Sequence, residues 1–215
     1  MTFGKVRIWD LPTRLFHWAI VLLVPALWWT QEIDRLDLHI LLGETMLGLV
    51  LFRLIWGVIG SSTARFAGFV CGTGAVLRHL RGKTAEAFGH NPLGGWSVVA
   101  MLLLLSVQVG LGLFVSDEDG FNCGPLSHLV SYDSARILAH RHETVFYILL
   151  GMIAVHVAAI LYYLAVKRDN LVTPMVTGVR AAPADGAAMI AAPLWRFLLA
   201  AGLAAGLTWI VSNYL

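Results

Sequence analysis

Five stretches of this 215-residue chain, each of about 20 mostly apolar residues, are long enough to cross the hydrocarbon core of a bilayer. They run over residues 15–30, 38–60, 96–115, 137–166 and 194–213. Lipid offers no hydrogen bonds, so each stretch must satisfy its own backbone, which predicts an all-α membrane protein. Composition agrees. With 58% hydrophobic and 13% charged residues and a mean hydropathy of +0.76, there is too little charge to clothe a water-soluble domain. Nucleic acid is not an expected partner.

The first stretch follows Lys5, Arg7 and Arg14, as a signal peptide would, but it ends in Leu27-Trp28-Trp29-Thr30-Gln31 rather than at a small-residue cleavage site. It reads as a retained span, with Trp28 and Trp29 in the interfacial aromatic belt. Of the fifteen basic residues, twelve fall on the side holding the N-terminus, the loop after the second span and the segment after the fourth. Only Arg35, Arg136 and Arg141 fall on the other. The bias predicts a cytoplasmic N-terminus and, after five spans, a C-terminus outside. Nine of the thirteen acidic residues lie on or near the outer side, a surface suited to a basic partner or simply to solvent. In the inner loop, residues 75–81 are patterned as a short amphipathic helix. Cys71 and Cys123 are expected on opposite faces, and no C-x-x-C-H run is present, which excludes covalently attached c-type haem.

Four of the eight histidines, His17, His39, His142 and His156, lie in or at the ends of spans, where an ionisable group is expensive. His142 and His156 are fourteen residues apart, 40° short of four full turns, so they share a helix face about 21 Å apart along the axis. That suits two cofactors stacked across the bilayer and is too long for one metal ion. His140 lies 160° around from His156 and faces away. His17 and His156 belong to the inner half, and His39 and His142 to the outer end, giving two pairs at two depths. Imidazoles can hydrogen-bond between helices. Paired at matched depths, they fit better as axial ligands of two b-type haems, since bis-histidine ligation closes the iron to oxygen and favours electron transfer. Zinc transport would want carboxylates or thiolates in the membrane core, and none is there.

Gly43, one turn beyond His39 on the same face, would leave room for a porphyrin or serve close helix packing; Gly110, Gly112 and Gly151 permit the same reading less directly. Arg53, fourteen residues after His39, and Arg14, one turn before His17, are positioned to fork onto a propionate of the inner haem, or to act as positive-inside residues. His90, in Gly89-His90-Asn91-Pro92 at the inner mouth of the third span, would either hydrogen-bond a quinone carbonyl or cap a turn. His79 and His128 read as loop-surface residues.

Val6-Arg7-Ile8-Trp9-Asp10-Leu11-Pro12-Thr13-Arg14-Leu15-Phe16-His17-Trp18, Leu38-His39 with Gly43, Phe52-Arg53-Leu54-Ile55-Trp56-Gly57, Gly89-His90-Asn91-Pro92-Leu93-Gly94, His142-Glu143 with His156, and the closing 168–178 segment resemble the prokaryotic cytochrome b561 family. Within it they are most similar to the b-type cytochrome subunits associated with nickel-iron hydrogenases. The resemblance implies a four-helix transmembrane bundle over 1–178 holding two b haems on His17, His39, His142 and His156. It also implies electron exchange between the quinone pool and a redox protein, such as a periplasmic c-type cytochrome or a hydrogenase-like subunit. Residues 179–192 then read as a cytoplasmic linker and 193–215 as an extra C-terminal span, detachable and peripheral to the cofactors. The localisation implied is the bacterial inner membrane. The chain would be an electron-transfer subunit of a respiratory oxidoreductase rather than a self-contained enzyme. A stand-alone superoxide:quinone oxidoreductase and a haem-free membrane anchor are the other readings.

Overall fold

A computed structural model of the protein describes residues 3–80, 92–117, 120, 122–183 and 188–213. The apolar runs all form helices: α1 (Leu11–Glu32), α2 (Leu36–Ile59), α5 (Pro92–Gly112), α6 (Tyr132–Ala165) and α8 (Leu194–Asn213) are each long and apolar enough to span a membrane. Strand β1 (Phe3–Arg7) precedes them, and between them lie the shorter helices α3 (Phe66–Phe69), α4 (Thr73–Leu80) and α7 (Val172–Thr177), a 3₁₀ turn at Ser127–Leu129, and strand β2 (Val179–Pro183). Leu22, Val58, Val155 and Leu194 stand open on the helix surfaces, as lipid-facing side chains do. Helix α4 covers the described part of the segment patterned as amphipathic, with Leu77 and Arg78 exposed.

Helix α6 is longer than its apolar run. It begins at Tyr132, one residue after Ser131, whose Oγ accepts from the Ser134 amide as a cap. Its 34 residues would measure about 51 Å, well beyond a hydrocarbon core of about 30 Å.

The chain divides into two compact units. The first comprises residues 1–16, 53–100 and 154–200. Asp10 organises it. Oδ1 accepts from the Thr13 amide (2.8 Å), capping α1, while Oδ2 accepts from Trp56 Nε1 (2.9 Å) and from the Ser61 hydroxyl. One buried carboxylate thus joins the start of α1 to the end of α2. Part of the expected linker is ordered pairing: β2 runs antiparallel to β1, with Val6 opposite Arg180 and Lys5 opposite Ala181. Gly178, at φ +82°, ends α7, and its carbonyl accepts from the Ile8 and Trp9 amides, which brings the weakly β-prone Ala-Ala-Pro segment alongside β1. Beyond the strand, Ile190 and Ser62 exchange hydrogen bonds, and the Met189 amide donates to Arg7.

The second unit comprises 17–52, 101–153 and 201–215. Its core draws Val24 from α1, Met46, Leu47 and Val50 from α2, Leu105 and Val109 from α5, and Leu149 from α6. Val211 of α8 packs against this cluster, and a Cβ on Gly48 would lie 3.2 Å from the Thr208 hydroxyl. In the first unit, Phe197 of α8 meets the Trp56 ring edge-on, and Arg196 donates to the Ile59 carbonyl (3.3 Å). Helix α8 therefore packs on α2 in both units.

Candidate functional site

The second unit forms a partly open cavity of about 640 Å³ between α1, α2, α5, α6 and residues 113–117 and 122–125. His39 and His142 line it, with ring centres 6.3 Å apart and planes at 78°. Each ring is held by a main-chain carbonyl: His39 Nδ1 donates to Leu27 O and His142 Nδ1 to Gln108 O, both at 2.9 Å. Because a carbonyl only accepts, both Nδ1 atoms carry the proton and both Nε2 atoms carry a lone pair. This is the arrangement that outer-sphere partners impose on metal-bound imidazoles. With metal–nitrogen bonds of about 2 Å, two imidazoles flanking one metal have ring centres roughly 6 Å apart. The pair therefore fits one iron between two axial histidines.

The cavity also fits a flat group. Gly43 lines it, and a Cβ there would meet nothing within 4 Å. Gly112 lines it for a different reason: its Cβ would stand 3.0 Å from His142 Cε1, so the missing side chain clears the imidazole. Gly110 and Gly151 also face open space but do not line the cavity. No residue of α8 is among the described lining residues.

Around the histidines the lining is apolar, with Leu27, Met46, Leu105, Val109, Phe146 and Leu149, while Glu32, Glu44, Asp117 and Glu143 add carboxylates. Arg136 is the one lysine or arginine among the described lining residues. His140, expected to face away, also reaches the lining, four residues after Arg136 and one turn from it on α6. Arg141, beside His142 in sequence, is exposed and does not line the cavity.

The other two span histidines are not among the described lining residues. His17, half-buried, belongs to the second unit, with its ring edge-on to Trp18 at 5.1 Å. His156, half-buried on α6, belongs to the first. Arg53, only 3% exposed, lies with its guanidinium 5.1 Å over the Phe66 ring, and its Nη1 has no hydrogen-bond partner among the described residues. Arg14 donates through Nη1 to the Thr177 carbonyl (3.2 Å) and packs against Gly178, tying α1 to the end of α7. His90 lies outside the described residues. No group of three or more His, Cys, Asp or Glu side chains among the described residues could hold a metal ion, and two axial histidines with a porphyrin need none. Cys71 and Cys123 are both free thiols.

Two lining residues escaped the sequence reading. Gln108 is the only carboxamide in the third apolar stretch, and a lone amide in a span is the signal that marked it. Arg136 sits in the polar extension of α6 that precedes the apolar run.

Five helices long and apolar enough to cross a membrane fit a multi-pass membrane protein, and one of its cavities is lined by two imidazoles from different helices. The chain belongs to the prokaryotic cytochrome b561 family, whose model matches residues 8–178. That membership implies binding of b-type haem and agrees with a role in electron transfer. No curated relative and no solved structure matches the chain. The match stops at Gly178, before β2 and α8.

Proposed function

We propose that the protein is a dihaem b-type cytochrome that carries electrons between a periplasmic redox partner and the membrane quinone pool. His39 and His142 hold one haem near the outer surface, and His17 and His156 hold the second toward the cytoplasm. The observation that carries the reading is the His39–His142 pair, two imidazoles from different helices with each Nδ1 committed to a carbonyl and each Nε2 carrying a lone pair. A bound haem supplies a reversible one-electron carrier, and bis-histidine ligation leaves it no open coordination position. The chain's own residues do the rest. Leu27 and Gln108 orient the ligands, Gly43 leaves the plane free, and the leucine and valine lining keeps water out. Arg136 would pair with a carboxylate of the outer group, and Arg53, whose Nη1 has no hydrogen-bond partner among the described residues, would do so for the inner one.

Helix α6 carries His142 and His156 fourteen residues apart, which would stack the two haems across the bilayer with His156 toward the inner face. There the Gly89-His90-Asn91-Pro92 segment would meet the quinone. The location is the bacterial inner membrane, as the family resemblance implies, and the bias of lysine and arginine supports a cytoplasmic N-terminus. Carboxylates outnumber cations around the His39–His142 cavity, which repels an anion such as superoxide and attracts a basic protein, so the electron-transfer reading is favoured over a superoxide oxidoreductase. The test is a dithionite-reduced minus oxidised spectrum of the purified protein with haem counted per chain. A sharp b-type band and two haems are expected; no band would leave a haem-free anchor.

A further inference from the structure

Gln108 bonds one imidazole twice. Its main-chain carbonyl accepts from His142 Nδ1 at 2.9 Å, and its side-chain nitrogen lies 3.0 Å from His142 Nε2. With the ring proton on Nδ1, Nε2 is an acceptor, so the amide must present its NH₂; the flipped amide would set two acceptors together. The orientation has a consequence at the other end of the group. Oε1 is buried and has no hydrogen-bond partner among the described residues. The amide thus satisfies Nε2 at the expense of its own oxygen, an arrangement that packing alone does not call for. One turn along α5, Gly112 leaves just enough room for the same ring, whose Cε1 a Cβ would approach to 3.0 Å. This face of α5 is shaped around His142.

We propose that Gln108 acts on this ligand in two ways: its main-chain carbonyl positions His142, and its carboxamide competes with iron for the Nε2 lone pair. The carbonyl fixes the tautomer, and the carboxamide guards the Nε2 lone pair until a metal takes it. The proposal rests on the reading of His142 as a haem ligand. On binding, the Gln108 N–H···Nε2 hydrogen bond would break, an iron–Nε2 coordinate bond would form, and the water or hydroxide carried by the added ferric haem would leave the iron for solvent. The electron pair on Nε2 passes from a hydrogen-bond donor to the metal, no electron changes owner, and no proton leaves the ring. The amide is therefore a competitor for the ligand as well as its guide, and deleting it leaves the carbonyl in place.

The experiment uses the full chain, produced without haem supply, purified in detergent and titrated with ferric haem. The His142 site is assigned by its loss in His142→Ala. Gln108→Leu keeps the bulk and removes the competing hydrogen bond, so this site should bind haem about fivefold more tightly than in the native chain. Gln108→Ala, which cannot overpack, should shift the same way. A merely structural glutamine predicts weaker binding in both variants. The proposal is overturned if neither variant binds more tightly while His142→Ala loses the haem. If His39→Ala and His142→Ala both keep a full haem complement, the haem reading itself falls, and the role of Gln108 with it.

Discussion

Replacing Gly43 by leucine separates the needs of the fold from those of the cofactor. Gly43 lies one turn beyond His39 in α2 and lines the cavity, and a Cβ there would touch nothing within 4 Å. The haem-free protein should therefore accept a larger residue without strain. Its helix should even gain, since glycine is about 1 kcal/mol worse than alanine in a helix interior. A bound haem changes the balance, because four added heavy atoms would occupy space that its plane needs. Overpacking of this kind costs about 1–3 kcal/mol, which corresponds to a roughly fivefold to two hundredfold loss of haem affinity. The assay is haem per chain from the reduced pyridine spectrum, beside the thermal unfolding of protein made without haem. The expected result is unchanged or higher stability without haem, with one of the two haems lost on purification. Gly43→Leu with both haems retained at native affinity would refute the placement of a porphyrin in this cavity. A collapse of the haem-free protein would refute the reading of Gly43 as facing open volume.

Other outcomes follow from the same geometry. His39→Ala and His142→Ala should each remove the same haem, and His17→Ala and His156→Ala the other, by haem count and by redox titration of the remaining band; a His17–His142 pairing would show that the depth assignment is wrong. Gly112→Ala should weaken the His142 haem about tenfold, because the ring must move a few tenths of an ångström against its 2.9 Å bond to Gln108, and haem titration reads the loss. Arg136→Gln should leave the fold intact but lower the midpoint potential of the His39–His142 haem by on the order of 50 mV, since a nearby cation favours the reduced state; spectroelectrochemistry reads the shift. Asp10→Ala should cost about 3 kcal/mol in thermal unfolding, because it strips a cap from α1 and leaves the Trp56 and Ser61 donors unpaired.

The spans were legible because a membrane helix announces itself through an unbroken apolar run, and each of the five runs lies largely within a helix. Their ends were less so. Helix α6 begins five residues before its apolar run, at Tyr132, where hydropathy gives no signal, and Arg136 went unnoticed there; His140 lines the cavity although its helical phase put it on the far face from His156. That His39 and His142 would come together was legible from their matching depth in the spans. What holds them was not, since the acceptors are carbonyls of Leu27 and Gln108, which any residue type would supply. The β1–β2 pair was hidden for a related reason. Val179–Pro183 has little strand character of its own and takes its form from Phe3–Arg7, more than 170 positions away. Asp10 stood within the motif that carried the family resemblance, yet only the fold shows it bonding Trp56 and Ser61.

The two carbonyl clamps also bear on how the site can vary. A side-chain anchor can be lost in a single codon change, whereas every amino acid that could replace Leu27 still presents a main-chain oxygen to His39. A saturation library at position 27 should therefore sort variants by bulk and leave the imidazole tautomer untouched. At position 108 the same library would divide differently, because the carbonyl survives every exchange while the carboxamide survives only as asparagine, one methylene short of reaching His142 Nε2 in the same way. The orientation of both imidazoles is thus insured against mutation, and what evolution remains free to adjust is how tightly the His142 lone pair is kept before it is used.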